Sequence, residues 1–237
     1  MMISSLFLIT AAFLLTIVLV ESTTNNGSNP TSRISPSRAF YRPHDYDIIR
    51  EEVLYEGWRK VIRRRVQSPK STKKSIIEFD VIDQTHSKSG AVIIFAWNST
   101  SKSATIIREY MPGCHRVLGG LAAGIVEEDK HDSEESAARF ELEEECHLAG
   151  GTWYRLINDD VSVPMDKYVV TEITPYLVID PYHVPNPRPI DDEEDIEIVP
   201  GVSAEEIMEM IKAGDMNLVS GWGALLALDK LRDLGEI

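Results

Sequence analysis

"GIVEEDKHDSEESAARFELEEECHLAGG", residues 124–151, carries ten acidic side chains against two basic ones, with Glu143, Glu144 and Glu145 consecutive. Like charges at this density repel, and carboxylates that share a site raise one another's pKa. From Ser133 the stretch reads as a helix. Ser133 is placed to cap it, and acids fill the first turn, where the helix dipole favours them. Residues three and four apart share a helix face, so Glu141, Glu144 and Glu145 fan out from one side while Leu142 turns to the core. A divalent cation would remove the repulsion, and carboxylate oxygens are the ligands Mg²⁺ prefers. A solvated acidic face is the plainer alternative. The preceding "AAGIVEED", 122–129, favours the cation, because small residues let the backbone approach and lend a carbonyl to the same ion.

On either side of this helix the pattern is that of a mixed sheet. "GAVIIFAWN" (90–98) and "SATIIREYM" (103–111) read as a hairpin around "STSK", and "GGLAAG" (119–124) as a flexible turn. "KYVVTEITPYLVID" (167–180) is a further strand, and "DDEEDIEIV" (191–199) is an acidic loop running into another. "SAEEIMEMIKAG" (203–214) has a Ser cap, apolar residues at helical spacing and a closing Gly, and "GWGALLALDKLRDL" (221–234) is a last helix. Upstream, "EGWRKVIRRRVQSP" (56–69) and "KKSIIEFDVID" (73–83) read as a hairpin joined by "KST". Between Gly57 and Ile77 lie eight Lys or Arg and no acid, which fits a solvated sheet face or a rim that attracts phosphates. Strands interspersed with helices, without repeats, give an α/β domain on a mixed sheet.

These residues resemble the Nudix box, G-x₅-E-x₇-R-E-U-x-E-E-x-G-U, where U is a large apolar residue. Gly124 supplies the opening Gly, and Glu141, Leu142, Glu144, Glu145 and Leu148 fit its second half. "EGWRKVIRRRV", "ATIIREYMP", "LAAGIVEED" and "EEDIEIVPGVSAEE" look like the corresponding parts of ADP-ribose and nucleotide-sugar pyrophosphatases, from Tyr46 to the C-terminus. The long "GIVEEDKHD" loop is more like that of ADP-sugar and UDP-sugar members. The chain also departs from the box. Phe140 stands at its Arg, His147 at its second Gly, Asp132 at its first Glu, and the spacing is two residues longer. A register with Arg139 as the box Arg would put Phe140 at a metal-binding Glu, and is rejected. The family's "E-L-P-A-G" appears as Gly120–Gly124 without its acid, and Met111 replaces the Arg of "Q-Y-R-P".

The resemblance implies a Nudix-type α/β/α sandwich, at residues 91–237, preceded by an N-terminal β-hairpin subdomain at 46–90 that helps form a homodimer. It implies Mg²⁺-dependent hydrolysis, with Mn²⁺ as a substitute, of the pyrophosphate bond in nucleoside diphosphate sugars such as ADP-ribose, ADP-sugars or UDP-sugars. The implied metal ligands are Glu141, Glu144, Glu145 and the carbonyl of Ala123, and Glu144 is essential to turnover. Glu194, matching the family's "E-x-x-E-V" pattern, with Glu193 beside it, is the implied base; a plain solvated loop is the alternative. Trp58 is a candidate to stack on a nucleobase, against a place in the core, and Arg108 is a candidate phosphate or ribose contact, against a surface ion pair. A second function, from a different class, is a Nudix-fold module that binds a nucleotide-sugar with impaired turnover, motivated by Phe140 and Gly120.

The net charge of −14 over 237 residues argues against a nucleic-acid partner, since a polyanion would be repelled. "LFLITAAFLLTIVLV" (6–20) fits the core of a cleaved signal peptide over residues 1–22, or an uncleaved anchor, the only route to a membrane here. Residues 23–45, acid-free until Asp45 and rich in Ser, Asn and Pro, read as a linker or a plastid-transit-like segment. The expected destination is the secretory pathway or the exterior, with a plastid reached through that route as the alternative. Asn26 and Asn98 head glycosylation triplets. Two cysteines, Cys114 and Cys146, are too few for a disulfide framework and read as buried thiols.

Overall fold

The run GAVIIFAWN forms the central strand of the protein's main sheet. A computed structural model describes residues 46–68, 76–85, 90–127, 129–190 and 194–237. The signal-peptide, linker, Asn26 and Glu193 expectations lie outside the described residues, and so does the "KST" turn. Asp45–Ile237 forms one unit.

Three antiparallel strands come first: β1 (Asp47–Glu56), β2 (Arg59–Gln67) and β3 (Ile76–Gln84). The expected hairpin is therefore a meander, extended by β1, whose charged and apolar residues do not alternate clearly. Its basic run is engaged across the strands. Arg63 pairs with Asp80 at 2.9 Å, Arg64 with Glu51 at 2.7 Å and Arg65 with Glu78 at 2.5 Å. Among the described residues, these three arginines form part of a charged, paired sheet surface. All of β1 is exposed, including Ile48, Ile49, Val53 and Tyr55.

The main sheet is built on β4 (Gly90–Asn98). β5 (Ser103–Met111) returns beside it, as the hairpin reading expects, and Asn98 closes the turn by accepting from the Thr100 and Ser101 N–H groups. "GGLAAG" is not a flexible turn. It spans the end of β6 (Arg116–Gly120), paired with β5, and the start of β7 (Ala122–Ile125), paired with β4. Small residues suit it because a helix on one face and another on the other press close to this segment.

Helix α1 (Glu134–Cys146) follows, then β8 (Leu148–Ala149), β9 (Thr152–Arg155), β10 (Val163–Pro164), β11 (Glu172–Ile179) and β12 (Tyr182–His183). β11 runs parallel to β4 with Glu172 opposite Gly90, and β9 and β10 border it. β12 pairs with β8 apart from the main sheet. β13 (Ile196–Val202) closes the sheet on β5, and α2 (Ala204–Ala213) and α3 (Leu218–Leu234) complete the chain. The α3 helix begins ahead of the expected start because the Asn217 side chain caps it, accepting from Ser220 N–H.

Strand residues alternate between two cores. Ile94 and Ala96 pack with Leu142 and Ala138 of α1, whereas Phe95 and Trp97 pack with Ile207 of α2 and Leu228 of α3. Helices therefore cover both faces, the α/β/α arrangement expected. Among the described residues no helix is long and apolar enough to cross a membrane. Cys146 is buried and Cys114 exposed, both as free thiols, so the reading of two buried thiols holds only for Cys146.

Candidate functional site

Helix α1 starts as its sequence dictates, with the Ser133 hydroxyl accepting the Ser136 N–H at 3.1 Å and Glu134 and Glu135 in the first turn. It ends at His147, whose φ of 55° is left-handed and whose N–H returns to the Glu143 carbonyl. That backbone explains why a glycine suits this position.

Glu145 is the most unusual of the acids. It is only 3% exposed, and one oxygen accepts the Ala123 N–H at 2.8 Å. Ala123 lies opposite Ile93 in the β7–β4 pair, yet its N–H goes to the helix instead of to β4. In an antiparallel pair such a residue turns both its N–H and its carbonyl to the outer edge. The Ala123 carbonyl is thus presented on the edge that meets Glu145. Burial raises the Glu145 carboxyl well above the usual carboxylate range; the Ala123 N–H opposes the shift, and the charges of Glu141, Glu194 and Glu109 reinforce it.

Glu141 lies on Gly124. A β-carbon at residue 124 would overlap the Glu141 carboxylate, so this approach requires glycine. Glu144 is half-buried on the same helix face. Glu109, half-buried on β5 two residues beyond Ile107 and so on the same face of that strand, is raised by its burial. Glu194, just ahead of β13, is close enough to act on Glu145. Strand alternation after Ile107 was the signal that could have found Glu109; the sequence reading missed it.

The donor chemistry fits a hard divalent cation: several carboxylates around a buried one, with a backbone carbonyl on the adjoining edge. Among the described residues, no three acidic, His or Cys side chains converge on one point in this arrangement. Glu141, Glu144 and Glu145 come from adjacent turns of one helix.

The departures from the box have structural partners. The Arg188 guanidinium lies 3.7 Å over the Phe140 ring and 3.4 Å from a Glu143 oxygen. His131 meets the other side of this group, edge-on to Phe140 at 5.1 Å. Arg139 points elsewhere, pairing with Glu135 and lying over Trp153. A β-carbon at residue 120 would come within 3.3 Å of the Asn217 and Ile107 side chains, so a side chain there would be crowded. Arg155 of β9 braces the start of α1, reaching Glu134 at 2.5 Å and the Tyr176 hydroxyl at 3.2 Å. Nothing local in the sequence marks Arg188 or Arg155.

Trp58 is not in the core. It is 68% exposed in the β1–β2 turn, where the Gly57 carbonyl accepts from the Thr85 hydroxyl. Arg108 stands opposite Glu197 in the β5–β13 pair and reaches it at 3.5 Å, with both side chains largely exposed. The charges of Glu109, Glu141 and Glu194 reach Glu145 without converging with it on one point, and Trp58 and Arg108 stay on the surface.

No protein-family model and no curated protein matches the chain. Among solved structures, the crystal structure of an ADP compounds hydrolase superposes with a TM-score of 0.67 at 17% identity, covering 83% of this chain and 100% of that one. The fold is Nudix-like. At this identity the correspondence extends to the path of the chain. The helix that carries Glu141, Glu144 and Glu145 is packed on the sheet by Ala137, Ala138 and Leu142, which leaves the acids along the edge beside β7.

Proposed function

We propose that the chain is a hydrolase of the pyrophosphate bond in nucleoside diphosphate sugars, ADP-ribose, ADP-sugars or UDP-sugars, yielding a nucleoside monophosphate and a sugar phosphate. The observation that carries this reading is the buried Glu145, held on the Ala123 N–H with Glu141 and Glu194 beside it. A bound cation would relieve the penalty that burial and the neighbouring carboxylates put on its charged form. The likeness to an ADP compounds hydrolase supports the same substrate class.

Glu141, Glu144 and Glu145, with the Ala123 carbonyl, are the groups that would hold Mg²⁺ or Mn²⁺. When bound, the ion supplies neutralisation of the diphosphate and makes the attacking water more acidic. Glu194 accepts the proton from that water, with Glu193 next to it in the chain. Trp58 offers a face to a base, and the exposed apolar residues of β1 suit a homodimer in which each hairpin region lies against its partner. The N-terminal segment would direct the protein into the secretory route.

Purified protein incubated with Mg²⁺ and ADP-ribose, ADP-glucose or UDP-glucose tests the reading by release of AMP or UMP. Glu144→Gln is expected to lower kcat on the order of a hundredfold, by loss of a ligand. Ligand-induced stabilisation without product would favour the binding module instead. That second reading draws on Phe140, which seats another residue's guanidinium where the box has its own.

A further inference from the structure

After β12 the chain runs back along α1 and is fastened to it at successive points. β12 pairs with β8, with Tyr182 opposite Ala149 and His183 opposite Leu148. The Val184 N–H then donates to the His147 carbonyl at 2.9 Å. One and two helical turns earlier on α1, Arg188 lies 3.4 Å from Glu143 and 3.7 Å over Phe140. Six residues further on, Glu194 lies within reach of Glu145's charge.

We propose that Arg188 is a positioning residue, which locks the segment Tyr182–Arg188 onto the acid-bearing helix and thereby sets where Glu194 enters the site. The inference rests on the hydrolase reading for its catalytic consequence, while the locking itself does not. The two contacts have distinct parts. The Glu143 carboxylate, next to Glu144 in the helix, supplies charge attraction to a partly exposed guanidinium, which alone is weak. The Phe140 ring supplies a flat face that only a planar cation matches, which fixes orientation as well as distance. Phe140 is therefore an anchor point for the segment. The pairing also keeps one of the three consecutive carboxylates, Glu143, turned toward a cation and away from the Glu141–Glu145 face.

Two measurements test this. The first is amide hydrogen exchange in the full chain, wild type against Arg188→Ala, Arg188→Lys and Phe140→Leu. Residues 182–190 are expected to exchange about tenfold faster in Arg188→Ala, with α1 unchanged, from loss of a stacked and paired cation. Arg188→Lys, which keeps the charge without the planar fork, recovers only part, and Phe140→Leu gives a similar partial loss. Unchanged exchange in Arg188→Ala would overturn the proposal whether or not the protein turns over.

The second is a double-mutant cycle on nucleotide-sugar hydrolysis. Arg188→Ala is expected to lower kcat about tenfold with KM little changed, and to have no further effect in Glu194→Gln, because misplacement costs nothing once the group is gone. Additive effects in a wild type that does turn over would overturn the positioning role. No turnover in the wild type would sink the hydrolase reading and leave the exchange result to decide the rest.

Discussion

The Glu141 carboxylate occupies the space that a side chain at Gly124 would need. The helix that bears the acids and the strand that leads into it are thus fitted by one missing β-carbon. Gly124→Ala is expected to push Glu141 aside. A surface carboxylate can swing away cheaply, so the change in unfolding free energy is expected to stay within about 0.5 kcal/mol. Mn²⁺ affinity, read by calorimetry, is expected to fall about tenfold or more, since the proposed ligand Glu141 is displaced. A variant that binds Mn²⁺ like the wild type would separate Glu141 from the ion.

Glu145→Gln separates charge from shape. Glutamine retains an oxygen to accept the Ala123 N–H, and it removes the group whose charged form is disfavoured by burial and by the charges of Glu141, Glu194 and Glu109. Without divalent ions the variant is expected to melt a few degrees higher at neutral pH, where about 1 kcal/mol is worth roughly 2–4 °C in a domain of this size. Added Mn²⁺ is expected to stabilise the wild type and to leave the variant unmoved. A lower melting temperature in the absence of metal would mean that the carboxylate is compensated by something else.

His131 makes stability depend on pH. It is 8% exposed, its Nδ1 accepts the Glu127 N–H at 3.2 Å, and burial holds its pKa below 6.5, against the pull of Glu127 and Asp129 and with help from Lys130 and Arg188. Between the lowered folded value and the ordinary one, the unfolded chain binds more protons. Stability therefore rises with pH through that window and is lost as pH falls below about 6.5. Urea midpoints at pH 5 and pH 7 are expected to differ less in His131→Gln than in wild type. An equal difference would place the dependence on other groups.

The end of α1 offers a stabilising change. His147 is held at φ 55°, a conformation glycine adopts without the steric cost a side chain carries. His147→Gly is expected to stabilise the fold by about 1 kcal/mol, a rise of roughly 2–4 °C in Tm. Both backbone bonds at this residue, to Glu143 and from Val184, survive the substitution. A lower Tm would show that the imidazole packs for more than its backbone costs.

What could be read from the sequence was what local chemistry determines. The caps at Ser133 and Ser203 and the hairpin about Asn98 have their signals within a few residues, and they stand where expected. The segment "GGLAAG" misled because small residues signal freedom in isolation, while here Gly124 and Ala123 are held by Glu141 and Glu145 from a distant helix turn. Arg188 became visible only when the segment after β12 was folded against α1, whereas Glu109 needed only the alternation of β5 carried two residues past Ile107. The face of α1 bearing Glu141, Glu144 and Glu145 followed directly from helical spacing; the partners of that face did not.

Strand β4 has neighbours on both edges, β11 on one and β5 and β7 on the other, and helices against both faces. Its amides from Val92 to Trp97 would be the last to surrender their protons to heavy water, and only when the whole domain opens. Because β7 hangs directly on this strand, fraying that begins in the outlying meander would leave the acidic edge assembled until the end.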